Sequence, residues 1–169
     1  MEKRAVAINK VEGLLQLQNE VDKRLLIESD DIQNTYYLIL INNVIRCGIS
    51  YYDYGIKPNT IIDDMCLKMY IGFGKKFVCM DMQENSISYE KELSSIFYQL
   101  ISNVNRSIIC AVCELDIYCF NSEGMIWNIG FKNIINEYKI IDNCIISILC
   151  EDGEEYAFSL EKGDLMNLR

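Results

Sequence analysis

Short β-type segments, each bounded by turn-forming residues, run through most of this chain and restrict the folds it can adopt. From Thr35 onward the segments are rich in Ile, Val, Tyr, Phe and Cys, and Gly, Asn, Asp or Ser lie between them. β-Branched and aromatic residues favour strands, whereas the intervening residues favour turns. The predicted strands are Tyr36–Ile41, Cys66–Phe73, Phe77–Met82, Ser107–Cys113, Asp116–Asn121, Met125–Ile129, Asn143–Cys150 and Glu155–Leu160. The pattern predicts a mainly β (α+β) chain, an antiparallel meander of hairpins.

Two regions depart from this pattern. Apolar residues between Leu93 and Val104 follow the spacing of an amphipathic helix, and Glu90 and Glu92 precede them, where a helix dipole favours negative charge. We therefore predict a helix over about 92–104. The first 30 residues fit either a short helix or an irregular strand, because their apolar residues match both periods in part.

A weak internal repeat links two of the predicted hairpins. Residues 77–81, followed by 87–89, resemble residues 117–121, followed by 126–128, and the hairpin at 145–160 has a similar composition. Hairpins of this kind resemble those of propeller blades, but two or three units cannot close a propeller, which needs about four blades. We expect the hairpins to form a curved sheet, a sandwich or a partial barrel in a single domain, 1–169.

The eight cysteines are interpreted as core residues. Cys110 and Cys113 form a C-x-x-C motif, but it lies in a predicted buried strand. Residues three apart in a strand point to opposite faces and cannot share one tetrahedral ion. We predict no metal site, and free cysteine packs as a small hydrophobic residue.

Histidine is absent from the chain, which removes most catalytic triads and most transition-metal sites. The glycine pair at Gly72 and Gly74 lacks the spacing of a phosphate-binding loop. We therefore predict no catalytic residue, no metal and no cofactor. No apolar run reaches the roughly 18 residues of a membrane span, and no secretory signal is evident, so we expect a cytoplasmic protein without a membrane partner.

Negative charge is concentrated in the second half of the chain. The formal net charge is −9, and residues 85–169 account for −7 of it. Phosphates repel such a surface, which disfavours nucleic acid and favours a basic protein as partner.

The hairpin Glu123-Gly124-Met125-Ile126-Trp127 and the closing Asp152-Gly153…Gly163 give residues 66–164 a resemblance to immunity proteins of bacterial polymorphic-toxin and contact-dependent inhibition systems. The resemblance implies a non-enzymatic inhibitor that neutralises a basic, nuclease-type toxin by occlusion. Charge complementarity would speed association, and aromatic anchors would slow release.

Candidate partner-binding residues come from this chain alone and form two groups, an acidic hairpin tip expected to steer the partner and a tyrosine run expected to anchor it. They are Glu151, Asp152, Glu154 and Glu155, and Tyr51, Tyr52 and Tyr54. Two other hypotheses remain open: a non-catalytic structural or self-associating β-domain, and a carboxylate-based enzyme or small-ligand binder.

Overall fold

The computed structural model describes residues 4–29 and 32–167. Its strands are β1 Val6–Lys10, β2 Leu26–Glu28, β3 Thr35–Ile41, β4 Val44–Tyr51, β5 Asn59–Asp63, β6 Lys68–Phe73, β7 Lys76–Asp81, β8 Ser86–Glu92, β9 Phe97–Ser102, β10 Ile109–Cys113, β11 Asp116–Asn121, β12 Gly124–Gly130, β13 Ile135–Ile141, β14 Ile145–Cys150 and β15 Glu155–Ser159. The helix α1 spans Leu14–Glu20, and a single 3₁₀ turn follows at Lys23–Leu25. Within the described ranges no helix is long and apolar enough to cross a bilayer.

The strands form four sheets, which we call blades I to IV in chain order. Blade I has the order β1-β3-β4-β2, blades II and III are meanders of β5 to β8 and β9 to β12, and blade IV contains β13 to β15. Every strand pair is antiparallel except β2 with β4. Leu165 bridges to Phe158 and extends the free edge of blade IV. The prediction of a mainly β chain of antiparallel hairpins is confirmed.

The blades stack face to face through three apolar layers. One layer joins blades I and II around Ile49 and Ile71, the next joins II and III around Phe77 and Phe120, and the third joins III and IV around Ile148. The rings of Phe77 and Phe120 stack with centroids 3.8 Å apart. The inner strands of blades II and III, β6, β7, β10 and β11, are buried on both faces, which explains their nearly continuous apolar runs. Among the described residues no apolar cluster joins blade I to blade IV.

The outer face of blade I is covered by the N-terminal segment. Leu17 of α1 is fully buried against this face, together with Val11, Val21 and Leu38. The sequence left helix and strand open for the first 30 residues, and the structure contains both, β1 and α1.

The predicted helix at 92–104 is wrong. This region holds the end of β8, a turn, and strand β9. Opposite β9, Val112 pairs with Gln99 and Cys113 pairs with Phe97, so Tyr98 is an extra residue in the ladder. The bulge places Phe97 and Leu100 on one face, in the same apolar layer. A spacing of three residues, typical of a helix, arises here from a bulged strand.

The internal repeat corresponds to equivalent strands in neighbouring blades. Residues 77–81 belong to β7 and residues 117–121 to β11, each the third strand of its blade. Asp81 Oδ1 accepts hydrogen bonds from the next turn at 2.9 Å, and Asn121 Oδ1 does the same at 2.9 and 3.0 Å. In both blades, therefore, the chain reverses between the third and fourth strands through the same kind of turn, in which a side-chain oxygen accepts from the backbone.

The prediction that the cysteines are core residues is wrong for Cys66 and Cys144, which are exposed; the other six are buried, but Cys110 and Cys119 are not free thiols. Cys110 faces blade IV and Cys113 faces blade II, so the two thiols do not meet. Cys110 is instead disulfide-bonded to Cys119, which lies directly opposite it on β11 with a Cα–Cα separation of 4.3 Å. Spacing along one strand does not reveal this pair, because the register of the β10–β11 hairpin brings the two residues together.

We expect six of the eight cysteines to react with a thiol reagent when the protein is unfolded without reductant, because Cys110 and Cys119 are bonded. Colorimetric titration of thiols in denaturant measures this count. Cys110→Ala should release the Cys119 thiol and leave seven cysteines that all react. Eight reactive thiols in the wild-type protein, purified without reductant, would contradict the pairing.

Candidate functional site

The loops of the four blades form two opposite faces of the stack, and five of the seven predicted binding residues lie on one of them. We call this the upper face and define it by the connections 52–58, 74–75, 93–96, 114–115, 131–134 and 151–154. The lower face carries the turns 42–43, 64–67, 82–85, 103–108, 122–123 and 142–144. Residues about 100 positions apart in the sequence are thereby brought to a common surface.

Backbone hydrogen bonds tie successive upper-face loops together. The Phe97 N–H donates to the carbonyl of Gly74 at 2.9 Å, which joins blade III to blade II. The Ile135 N–H donates to the carbonyl of Glu114 at 2.9 Å, which joins blade IV to blade III. The Glu151 N–H then donates to the carbonyl of Ile134 at 2.9 Å. The loops therefore form a connected surface, and their positions depend on one another.

The acidic end of the upper face lies on blades III and IV. Glu151, Asp152 and Glu154 are exposed at the turn between β14 and β15, where Gly153 has a φ of +85°. Burial, and then the carboxylates of Glu114 and Glu151, raise the pKa of Tyr98. This shift identifies Glu114 and Glu151 as neighbours of the same phenol. The acidic end therefore includes a carboxylate from each of the two blades.

Local hydrogen bonds hold two of these carboxylates. Asp152 accepts from the side-chain amide of Asn133 and from the N–H of Glu154, and Glu154 accepts from the phenol of Tyr156. That last bond, followed by burial, raises the pKa of Tyr156 to about 12. Glu155 differs because it lies on β15 and points to the outer face of blade IV, where it lines a cavity with Glu137 and Lys139. Of the predicted steering residues, three belong to the upper face and Glu155 to its margin.

The tyrosine run lies at the other end of the upper face, between blades I and II, and its members differ. Tyr51 is 1% exposed, and its hydroxyl donates to the carbonyl of Ile56 at 3.0 Å. It is therefore part of the core and cannot anchor a partner. Tyr52 is 44% exposed, and its ring lies 5.3 Å from that of Tyr54. The ammonium of Lys75 lies 5.8 Å from the centre of the Tyr54 ring, at cation–π distance.

Sequence reasoning missed Lys75 and Tyr98 as members of this surface. Lys75 lies in the turn between β6 and β7, and nothing in the sequence indicates that this turn meets the tyrosine run. Tyr98 was assigned to a helix. Only the stacking of blades brings these side chains to the predicted residues, and a single sequence carries no pattern that records such contacts.

Two of the carboxylates that a carboxylate-based enzyme could use have structural roles. Asp63 is buried, and its Oδ1 accepts from the N–H groups of Met65 and Cys66 in the turn after β5. Asp116 accepts from the Ser95 hydroxyl at 2.7 Å. Asp30 and Asp31 lie outside the described residues. In residues 4–29 and 32–167 no three Cys, Asp or Glu side chains group in the manner of a metal site.

Comparison with known proteins gives matches in structure alone. No family model and no curated protein matches the sequence. The β-propeller domain of Cps50 (Swd1) from Myceliophteria thermophila superposes with a TM-score of 0.51 at 11% identity, over 64% of this chain and 39% of that one. BamB from Moraxella catarrhalis gives 0.53 at 14% identity, over 95% of this chain and 51% of that one. The computationally designed Ika4 protein gives 0.53 at 10% identity, over 69% of this chain and 74% of that one.

These similarities show a propeller-type fold. The chain spans about two-fifths of the length of the Swd1 domain and about half that of BamB. The matched structures are propellers and not immunity proteins, so the predicted function, neutralisation of a toxin by occlusion, is corrected. The alternative of a non-catalytic β-domain fits the fold better.

Proposed function

We propose that this chain is a non-catalytic scaffold of propeller type that binds another protein through its upper face. The observation that carries the proposal is the position of the exposed acidic turn and of the Tyr52–Tyr54 pair on the same face, although about 100 residues separate them in sequence. Loops on a rigid β framework are common binding sites because the framework fixes their relative positions. Tyrosine pairs offer large contact areas at a small cost in side-chain entropy.

The charge of the upper face indicates the kind of partner. The loops of blades III and IV supply Glu114, Glu151, Asp152 and Glu154, and Lys132 is the basic residue among the loop residues 114–115, 131–134 and 151–154. A basic segment of a protein partner would meet attractive potential at this end. The tyrosines at the other end would then pack against an apolar or aromatic side chain of the partner. The partner would lie across several blades and not on a single loop.

We expect neutralisation of the acidic turn to slow association with the partner about tenfold at low salt, because the steering field is reduced. The variant combines Glu151→Gln, Asp152→Asn, Glu154→Gln and Glu155→Gln. The wild-type chain is first used to isolate its partner from extracts of the native cell. Association and dissociation rates of the purified pair are then measured by surface plasmon resonance at several salt concentrations.

The control variant makes the same change in net charge at exposed carboxylates away from the upper face. It combines Glu20→Gln, Glu84→Gln, Glu123→Gln and Asp142→Asn. We expect the association rate of this variant to stay within about twofold of wild type, since screening limits the reach of distant surface charges to about 10 Å. Equal slowing in both variants would show that only net charge matters and would contradict the upper-face assignment.

A further inference from the structure

Two adjoining cavities on the lower face bring three arginines together at the meeting point of blades I, II and III. The first, of about 310 Å³, is lined by Arg4 of blade I, Thr60 and Asp64 of blade II, and Ser102 and Arg106 at the end of β9. The second, of about 350 Å³, is lined by Arg4 and Arg46. Arg4 lies in the wall of both.

The charge of these cavities is opposite to that of the whole chain. The chain has a net charge of −9 and five arginines, and three of the five line the two cavities. Asp64 is the single carboxylate among the described lining residues, and its Oδ1 lies 3.5 Å from Nη1 of Arg4. The two groups form an ion contact without a hydrogen bond. Because Asp64 carries one negative charge and the three arginines carry three positive charges, the lining is net positive.

Arg106 is held in the first cavity by an unusual backbone. Its φ is +57°, a left-handed conformation that a long L side chain rarely adopts. Asn103 is buried and fixes the loop, since its side chain accepts from the N–H of Ile108 and its carbonyl accepts from the N–H of Arg106. Nη1 of Arg106 donates to the carbonyl of Ile62 at 2.5 Å, which orients the guanidinium towards blade II. Strained conformations of this kind cluster at functional sites.

Arg46 provides a second indication of a binding site. Its Nε is buried and has no hydrogen-bond partner among the described residues. A buried donor without an acceptor is uncommon because its desolvation is not compensated. An acceptor that enters the cavity beside Arg4 would satisfy it.

We propose that the arginine-lined cavities bind a small molecule through an oxyanion, a phosphate or a carboxylate group. The planar guanidinium donates two parallel hydrogen bonds to either group, and pairs of this kind are about twice as strong as neutral hydrogen bonds. The hydroxyls of Thr60 and Ser102 line the same cavity and offer further donors. A volume of about 310 Å³ is near the lower end of small-molecule sites, which favours a ligand of few atoms.

The test is titration of the full chain by isothermal calorimetry with inorganic phosphate and, separately, with succinate, at constant ionic strength set by chloride. We expect saturable binding of at least one of the two, and the preferred one identifies the group. Arg106→Gly removes the guanidinium and also relieves the positive φ, so the variant should fold. We expect it to bind at least about tenfold more weakly, and Arg106→Lys to recover part of the loss.

Arg24→Ala is the matched control, because Arg24 is exposed, pairs with Asp22 and lines neither arginine cavity. It removes the same charge and should bind as wild type does. Circular dichroism of each variant shows that the fold is retained. Equal affinities of the wild type and Arg106→Gly, or the absence of saturable binding of both anions to the wild type, would overturn the proposal.

Discussion

Gly72→Ala is expected to destabilise this protein by about 3 kcal/mol or more, because the added methyl group has no space to occupy. Gly72 lies in β6 of blade II, and a Cβ atom there would stand 2.2 Å from Cε2 and 2.3 Å from Cζ of the Phe97 ring. Phe97 is itself fully buried at the start of β9, so its ring cannot turn outward. Blades II and III would have to separate. Urea unfolding followed by circular dichroism measures the loss.

Two further variants distinguish this clash from a general effect of alanine in place of glycine. Gly13→Ala is the matched control, since no atom lies within 4 Å of the added Cβ and its φ of −176° suits any residue. We expect it to change the free energy of unfolding by less than about 1 kcal/mol. Combining Gly72→Ala with Phe97→Leu should recover part of the stability because leucine is shorter. A double variant less stable than either single variant would argue against the proposed contact.

Strands buried on both faces were the most predictable elements. Asp116–Asn121 was predicted with the bounds of β11, and Tyr36–Ile41 differs from β3 by one residue. These segments are continuous in apolar and aromatic residues, and turn residues bound them on both sides. Their signal is therefore local and can be recognised without tertiary information.

Most strands that were not predicted lie at blade edges, although the inner strand β4 was also missed and the edge strands β12 and β15 were predicted. β5, β8 and β13 lie at blade edges, where polar residues are tolerated, and none was predicted as a strand. β8 alternates exposed and half-buried residues and contains Glu90, Lys91 and Glu92. Without these strands each hairpin looked isolated, so the repeat suggested two or three units and not four blades. The missing strands complete the sheets, since β5 and β8 flank the predicted pair β6 and β7 in blade II, and β13 is the third strand of blade IV.

The residue types of the candidate site could be predicted from the sequence, but their arrangement in space could not. The acidic turn at 151–154 is exposed as expected, because charged residues around a glycine turn have no alternative to solvent. Its proximity to Tyr98 and Glu114 depends on the stacking of blades III and IV. The arginine cavities are a stronger example, because their residues come from three blades and share no local pattern.

Tyr51 and Tyr52 are neighbours in sequence with opposite environments, and the costs of replacing them by alanine should differ by about 2 kcal/mol or more. The Tyr51 ring packs against Phe73 with centroids 5.4 Å apart and against Tyr37 at 6.1 Å. We expect Tyr51→Ala to cost about 3–5 kcal/mol, because it leaves a cavity between blades I and II and removes the hydroxyl that donates to the carbonyl of Ile56. Tyr52→Ala should cost less than about 1 kcal/mol, since its ring is 44% exposed.

Tyr51→Phe separates the contribution of ring packing to stability from that of the hydrogen bond. It keeps the ring and loses the bond to the carbonyl of Ile56, so we expect a loss of about 1–2 kcal/mol. Chemical unfolding of the three variants, followed through the single tryptophan, Trp127, and through circular dichroism, provides the comparison. If Tyr51→Ala were as stable as Tyr52→Ala, the ring would not be a core element, and Tyr51 would return to the set of candidate anchors. A large loss in Tyr51→Ala alone instead leaves Tyr52 and Tyr54 as the candidate anchors of the tyrosine run.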